Sequence, residues 1–246
     1  VIDRGDGSPY QLKRFKYNSH DWILRWLSEA SVPSRILDVG AADGYLGAIL
    51  KQRGHFVAGV ENDPDAAAKA QGHYDDFQVA NVEEFDFPYR DEFDYILFAD
   101  VLEHLRDPAR VLKKSLTSLK RSGQIILSVP NIANVVMRLS LLAGRFNYAD
   151  RGIMDRTHLR FFTLATLKRT LEECGLGVVE IAASPLPVQL VWPFTDAKWF
   201  APMHELHYLL VRMRMPLFAY QFIVRSARRS APGSNDSRHE SIPFAI

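Results

Sequence analysis

A chain of 246 residues, 47% hydrophobic and 24% charged, has a globular composition, and its length suits one core with decorations better than two equal domains. The 30 Lys/Arg and 29 Asp/Glu nearly cancel to +1, which argues against a dedicated nucleic-acid binder. A single cysteine, Cys174, excludes an internal disulfide and a cysteine-rich zinc site and fits a reducing compartment.

Charges interrupt every long apolar stretch (Arg138 and Arg145 in one, Arg212 and Arg214 in another), so no membrane span of about 20 apolar residues is expected. The opening residues, with Asp3, Arg4, Asp6, Lys13, Arg14 and Lys16, lack the apolar run of a signal peptide; a cytoplasmic protein is the expectation.

Residues 1–30 read as an arm followed by an amphipathic helix over His20–Ala30, with Trp22, Ile23, Trp26 and Leu27 at helical spacing. From Arg35 the pattern alternates. Strands are predicted at Arg35–Val39, Phe56–Val60, Phe77–Ala80, Phe93–Ala99 and Gln124–Val129. Helices are predicted between them at Gly44–Arg53, Pro64–His73 and Pro108–Lys120. Asp63-Pro64 and Asp107-Pro108 each set a capping carboxylate before a proline at the first helical position. Gly54, Gly123 and Gly175 stand where left-handed helix ends are wanted. Strands alternating with helices imply an α/β fold with a doubly wound, mostly parallel sheet and helices on both faces.

After Pro130 the alternation loosens. Ile132, Val135, Val136, Leu139 and Leu142 make a helical stripe, and a polar stretch runs from Arg145 to His158. A helix over Leu164–Cys174, capped by Thr163, precedes a strand at Val178–Ala182. Residues 186–216 are rich in aromatics and proline and become helical over His204–Arg214; Leu217–Val224 reads as the last strand. The domain is thus expected over 31–225, with cap insertions at 131–162 and 186–216 over the sheet's carboxyl end and a polar tail at 226–246.

The chemistry-bearing segment is Asp38-Val39-Gly40-Ala41-Ala42-Asp43-Gly44-Tyr45, a strand entering a small-residue turn that opens a helix. Small residues let a ligand approach the backbone, and a helix start offers free N–H groups. A dinucleotide fingerprint fails, because Ala42 and Tyr45 occupy its second and third glycine positions. No Tyr-x-x-x-Lys pair and no phosphate loop ending in Gly-Lys-Ser/Thr is present.

Four segments in order resemble the class I S-adenosylmethionine-dependent methyltransferases, whose fold is Rossmann-like. They are Asp38–Gly44, Val60-Glu61-Asn62-Asp63, Ala80-Asn81-Val82-Glu83, and Phe93-Asp94-Tyr95 through Asp100-Val101-Leu102-Glu103-His104-Leu105. The fourth is similar to the quinone-biosynthesis-like subgroup. Asp155-Arg156-Thr157-His158-Leu159-Arg160-Phe161-Phe162-Thr163 is similar to a stretch in bacterial small-molecule and sugar-cluster methyltransferases.

The resemblance implies S-adenosylmethionine as cofactor and assigns its contacts. Asp38 would orient the turn formed with Gly40, Ala42 and Gly44 and reach the methionine amino group, with the Ala99 carbonyl beside it. Glu61, 23 residues after Asp38, would accept the ribose hydroxyls, with Asn62 next to it. Asn81 and Val82 would meet the adenine edge. The family usually has a second glycine where Ala42 stands, so a positive φ there would be strained.

A general base is needed only for a hydroxyl acceptor, and His104 and His158 are the candidates. His104 could instead pack at a helix start, and His158 could position substrate or knit its loop. Asp100, Glu103 and His104 offer metal-ligand chemistry, but so close a trio is too common to assign, and no metal is expected. Phe146, Tyr148 and the aromatics over Leu190–Phe200 are candidates for an acceptor wall, while Tyr17, Asn18 and His20 are candidates for a lid or a helix cap. Residues 191–246 carry seven Lys/Arg against four acids, which allows peripheral contact with anionic lipid or simply a solvated edge. The expected activity is methyl transfer to a small-molecule hydroxyl (sugar, lipid-linked glycan or quinone-like), with no nucleic-acid partner. The alternatives are a nucleic-acid or protein methyltransferase, disfavoured by Ala99-Asp100-Val101-Leu102 after the fourth strand, and a non-catalytic cofactor-binding partner subunit.

Overall fold

The computed structural model describes residues 16–188 and 198–229. The elements are α1 (Ser19–Ser28), β1 (Arg35–Val39), α2 (Tyr45–Gln52), β2 (Phe56–Glu61), α3 (Pro64–Ala70), β3 (Asp76–Val79), β4 (Phe93–Ala99), α4 (Pro108–Ser115) and β5 (Leu119–Pro130). They continue with α5 (Val135–Leu142), α6 (Leu164–Glu173), β6 (Leu176–Ser184), α7 (Ala201–Met213), α8 (Met215–Phe218) and β7 (Gln221–Arg228).

Seven strands form one sheet in the order β3-β2-β1-β4-β5-β7-β6. The pairs from β3 to β5 are parallel, and β7 is antiparallel to both β5 and β6. Because both faces are covered, the strands read as unbroken apolar runs rather than alternating ones. Leu37, Ile125 and Leu127 join one core cluster with Val111, Leu112, Leu167 and Leu171 of α4 and α6. Ile36, Leu97 and Ile126 join the other with Ile23, Trp26 and Leu27 of α1 and Leu50 of α2.

Helix starts follow the expected chemistry. Asp63 caps α3 and Asp107 caps α4 ahead of prolines, and Thr163 with Thr166 closes a reciprocal capping box at α6. Gly54 and Gly175 adopt φ of +88° and +76°. Gly123 does not: it lies inside β5, where a Cβ would meet Leu119 Cδ1 at 2.7 Å and the Asp94 carbonyl at 3.0 Å. Close strand approach, rather than a helix end, is what demands glycine there.

The largest boundary shifts lie at α4, β5 and β7. The helix from Pro108 stops at Ser115, and a 3-10 turn over Leu116–Ser118 leads directly into β5. The last strand starts at Gln221, because Pro216 sits at the start of a helical turn over Met215–Phe218. It runs to Arg228, so Ser226–Arg228 belong to the sheet and not to the expected tail. Residues 1–15, 189–197 and 230–246, including most of the arm, Trp192, Pro193, Phe194 and the rest of the tail, lie outside the described residues.

The strand order reverses between β1 and β4, and at such a switch point the crevice outside the strands' carboxyl ends takes the ligand. The turn after β1, the end of β2 and the loop after β4 all open there.

Candidate active site

The turn after β1 is built under constraint. Gly40 has φ +76°, and a Cβ on it would stand 2.6 Å from Val101 Cγ2. Gly44 caps α2 at φ +80° and presses on the Ala70 backbone. Ala42 adopts φ +47°, the strained left-handed region that the family's glycine would relieve. Its N–H donates to Glu61 Oε2 at 2.8 Å, which pins the turn to the end of β2.

Two stability predictions arise here. Gly40→Ala is expected to lose about 2–3 kcal/mol, since it combines overpacking with a wrong φ. Ala42→Gly is expected to gain about 0.5–1 kcal/mol, because released strain exceeds the added chain entropy. Urea midpoints at constant m-value check both.

Glu61 is more than a ribose candidate. Its Oε1 accepts from the N–H groups of Asn62 (2.7 Å) and Asp63 (2.9 Å), so its carboxylate is held by three backbone amides, with lone pairs remaining for a ligand. Asn62 itself is exposed beside it. Asn81 accepts from Glu83 N–H and shapes the turn that follows β3, and Val82 is buried there in the core. Ala99 ends β4, one residue before Asp100, which takes φ +58°.

Asp38 is fully buried, and burial raises its carboxyl to about 6; the Tyr74 hydroxyl, donating to Oδ2 at 2.7 Å, works against that rise, and the Glu61 charge adds to it. Oδ1 is buried and has no hydrogen-bond partner among the described residues. A buried carboxylate oxygen left open beside a glycine turn suits a cation, and the ammonium of a methionine moiety is of that kind. Tyr74, the partner that sets the other oxygen, was invisible in the sequence, because it sits between helix and strand with no motif around it.

The two histidines meet. His104 closes a 3-10 turn over Leu102–His104 after β4, and His158 comes from the loop between α5 and α6; their rings stand 4.8 Å apart edge to face. His104 Nδ1 lies 3.3 Å from the Thr157 carbonyl, and His158 Nδ1 lies 3.1 Å from the Ile153 carbonyl. A carbonyl accepts only, so each Nδ1 carries the proton in these contacts, and in a neutral ring the lone pair is then on Nε2. Burial lowers the His158 pKa, and the neighbouring His104 adds to the shift, so the ring is neutral at pH 7. The loop is stitched in place by Leu159 and Arg160 N–H groups donating to the Glu103 carbonyl.

Glu103 is buried in the same turn, and one of its carboxylate oxygens and one ring nitrogen each of His104 and His158 lie within 4.8 Å of one another. This is a different trio from Asp100, Glu103 and His104: His158 joins from a loop more than 50 residues away. Asp100 Oδ1 instead accepts from Ser128 Oγ and from Gln221 Nε2 at 3.0 Å. Neither Ser128 nor Gln221 was marked by the sequence reading.

Aromatic rings continue from the histidines. Phe161 lies 6.5 Å from His158, Phe146 lies 6.2 Å from Phe161, and Tyr148 lies 5.7 Å from Phe146. At the opposite rim, Asn18 caps α1, as the simpler alternative had it. The buried His20 reaches the hydroxyl of Tyr45 at 2.7 Å, next to the glycine turn. Tyr17 stacks on Tyr208 of α7 with centroids 3.7 Å apart.

With this geometry in view, the chain matches a family model described as a methyltransferase domain over residues 10–181. The ubiquinone biosynthesis O-methyltransferase of Acinetobacter baylyi is 25% identical over 199 residues, covering 76% of this chain and 81% of that protein. The enzyme of the same name from Aeromonas salmonicida is 28% identical over 170 residues, covering 65% and 71%. The solved magnesium protoporphyrin IX methyltransferase of Synechocystis, with S-adenosylhomocysteine bound, superposes with a TM-score of 0.59 at 16% identity, covering 85% of this chain and 82% of that one. A fold shared with solved S-adenosylmethionine-dependent methyltransferases, and a family match over most of its length, make this chain a member of the methyltransferase-domain family.

Proposed function

We propose that this methyltransferase moves the methyl group of S-adenosylmethionine to a hydroxyl oxygen of a small acceptor: a sugar, a lipid-linked glycan or a quinone-like phenol. The observation that carries the reading is the pair of imidazoles, His104 and His158, set edge to face and each held through Nδ1 at a backbone carbonyl. An oxygen nucleophile needs its proton removed, and that is what such a pair offers. The O-methylation named for the relatives supports the same atom.

The bound donor supplies an activated methyl on a sulfonium, already a good leaving group. The chain's part is orientation and proton transfer. In this reading Asp38 Oδ1 takes the ammonium, with the Ala99 carbonyl beside it, while Gly40, Ala42 and Gly44 give backbone access. Glu61 and Asn62 hold the ribose side, and Asn81 and Val82 the adenine side. Phe146, Tyr148 and Phe161 wall the acceptor, and the hydroxyl proton passes to Nε2 of His158 or His104. Glu61→Ala is expected to abolish micromolar donor binding in calorimetry. The activity test offers catechols, hexoses and polyprenyl-linked sugars as acceptors and reads a one-methyl mass increase with matching S-adenosylhomocysteine. Turnover confined to amines would overturn the oxygen assignment.

A second reading rests on the Glu103, His104 and His158 donors, which fit a divalent cation by type and separation. Such an ion would polarise the acceptor oxygen in place of an imidazole base. Chelator treatment decides: activity lost and restored by added magnesium or zinc favours the ion, and unchanged activity favours the base.

A further inference from the structure

One helix face exposes a run of large apolar residues. Trp199, Met203, Leu206, Leu210 and Met213 recur at intervals of four, three, four and three, which keeps them on one side of α7 and the turn before it. Trp199 is 77% exposed, Leu206 59% and Met213 60%. The other side of the helix is seated: Val211 is fully buried in the sheet's core cluster, and Tyr208 stacks on Tyr17. Burial of the fold therefore already uses one face of α7, and the apolar stripe serves something else.

The other cap insertion, at 131–162, repeats the feature. Leu139 and Leu142 of α5 and Phe146 beyond it are exposed, and Leu142 is the most exposed large hydrophobic residue among those described. The start of α5 is tied to α8, since Asn131 and Asn134 both donate to the Ala219 carbonyl. Charge points the same way. Residues 131–162 and 198–220 together hold eight Lys/Arg and three acids, a local +5 in a chain of +1, which leaves −4 for the remainder. Of the three acids, Asp150 pairs with Arg156 and Glu205 with Lys16.

We propose that the cap formed by α5 and α7 docks on an anionic lipid bilayer, with the α7 stripe entering the headgroup boundary and the cap's arginines facing the lipid phosphates. An amphipathic helix of this length binds an interface through buried apolar area plus attraction to anionic lipid, and basic residues near such a surface add to it. A pairing seam with a second copy fits less well: a heptad stripe must persist for three or four heptads to hold a coiled coil, and α7 spans 13 residues. The docked face belongs to the end of the sheet where the acceptor site opens, so an acceptor dissolved in the bilayer would meet the enzyme from that side.

The test floats the full chain with vesicles of phosphatidylglycerol and phosphatidylcholine in equal parts, against vesicles of phosphatidylcholine alone. The expected result is partition onto the anionic vesicles only, falling with added salt, and reduced at least tenfold in the double variant Leu206→Glu/Met213→Glu. Both positions are surface positions, so donor affinity and the urea midpoint should stay at wild-type values; the proposal is thereby separated from the methyl-transfer reading. Equal flotation of wild type and variant, or no flotation of either, overturns it. So does a dimer in light scattering that the same two substitutions dissociate, which would give the stripe to a second copy.

Discussion

Asp38→Asn is expected to weaken S-adenosylmethionine binding by about 30- to 100-fold while making the free chain more stable at neutral pH. The first effect is the loss of a charge-assisted hydrogen bond to the donor's ammonium, worth about 2–3 kcal/mol in a buried setting. The second follows from the native carboxyl lying at about 6 against an ordinary 3.8. A native pKa above the unfolded one means that the folded state binds more protons between those values, so stability falls as pH rises through that window. Above it, the ionised Asp38 lowers stability by about 3 kcal/mol.

Asparagine removes that charge, and its oxygen can still accept from Tyr74, but its amide leaves a buried donor unmet at the Oδ1 position, which costs about 1–2 kcal/mol. A net gain of about 1 kcal/mol at pH 7 should therefore appear in urea unfolding and turn into a loss of about 1 kcal/mol below about pH 4. The same carboxyl makes donor affinity pH-dependent: below about 6, binding must release a proton, so affinity should fall by up to tenfold per pH unit. A pH-independent affinity between 4.5 and 7 would remove Asp38 from the ammonium contact.

The larger kinetic effect is expected at His158. His158→Ala should lower turnover by a hundredfold or more, in the range that a positioned general base contributes, with donor affinity unchanged. Alanine also releases the Ile153 carbonyl, so a loss could reflect a slackened loop. His158→Asn separates the two, because its side-chain amide stands where Nδ1 stands and can donate to that carbonyl without offering a base. Turnover that stays low in His158→Asn supports proton transfer; turnover restored by asparagine assigns His158 to positioning alone. His104→Ala should behave similarly, and normal turnover in both alanine variants would end the base assignment.

The sheet was legible because each strand is short, apolar and bounded by turn residues, and because Asp63-Pro64 and Asp107-Pro108 mark helix starts unambiguously. The cofactor turn was legible for a related reason: a local run of small residues between strand and helix is a sequence-contiguous object. What lies across the fold was not. The approach of His104 to His158 joins two loops through backbone bonds from Leu159 and Arg160 to Glu103, and nothing in either segment announces the other. Tyr74 and Gln221 reach Asp38 and Asp100 from separate elements for the same reason. Around residues 215–221 the apolar run Leu217–Tyr220 suits strand or helix equally, and Pro216 tipped its first part into a helical turn.

The position of β7 sets the order in which this sheet can be completed. It is the last strand among the described residues, yet it lies between β5 and β6, pairing through seven and eight positions. During synthesis the facing edges of β5 and β6 have no partner until Gln221–Arg228 has emerged, and unprotected strand edges invite pairing with other chains. The pairing of Ile125 with Ser226 also spans about a hundred residues, which slows closure by the entropy of bringing such distant segments together. A nascent chain cut short before Gln221 should therefore aggregate even though its cofactor turn is complete, so β7 acts as a timer on when the sheet closes and the enzyme becomes competent.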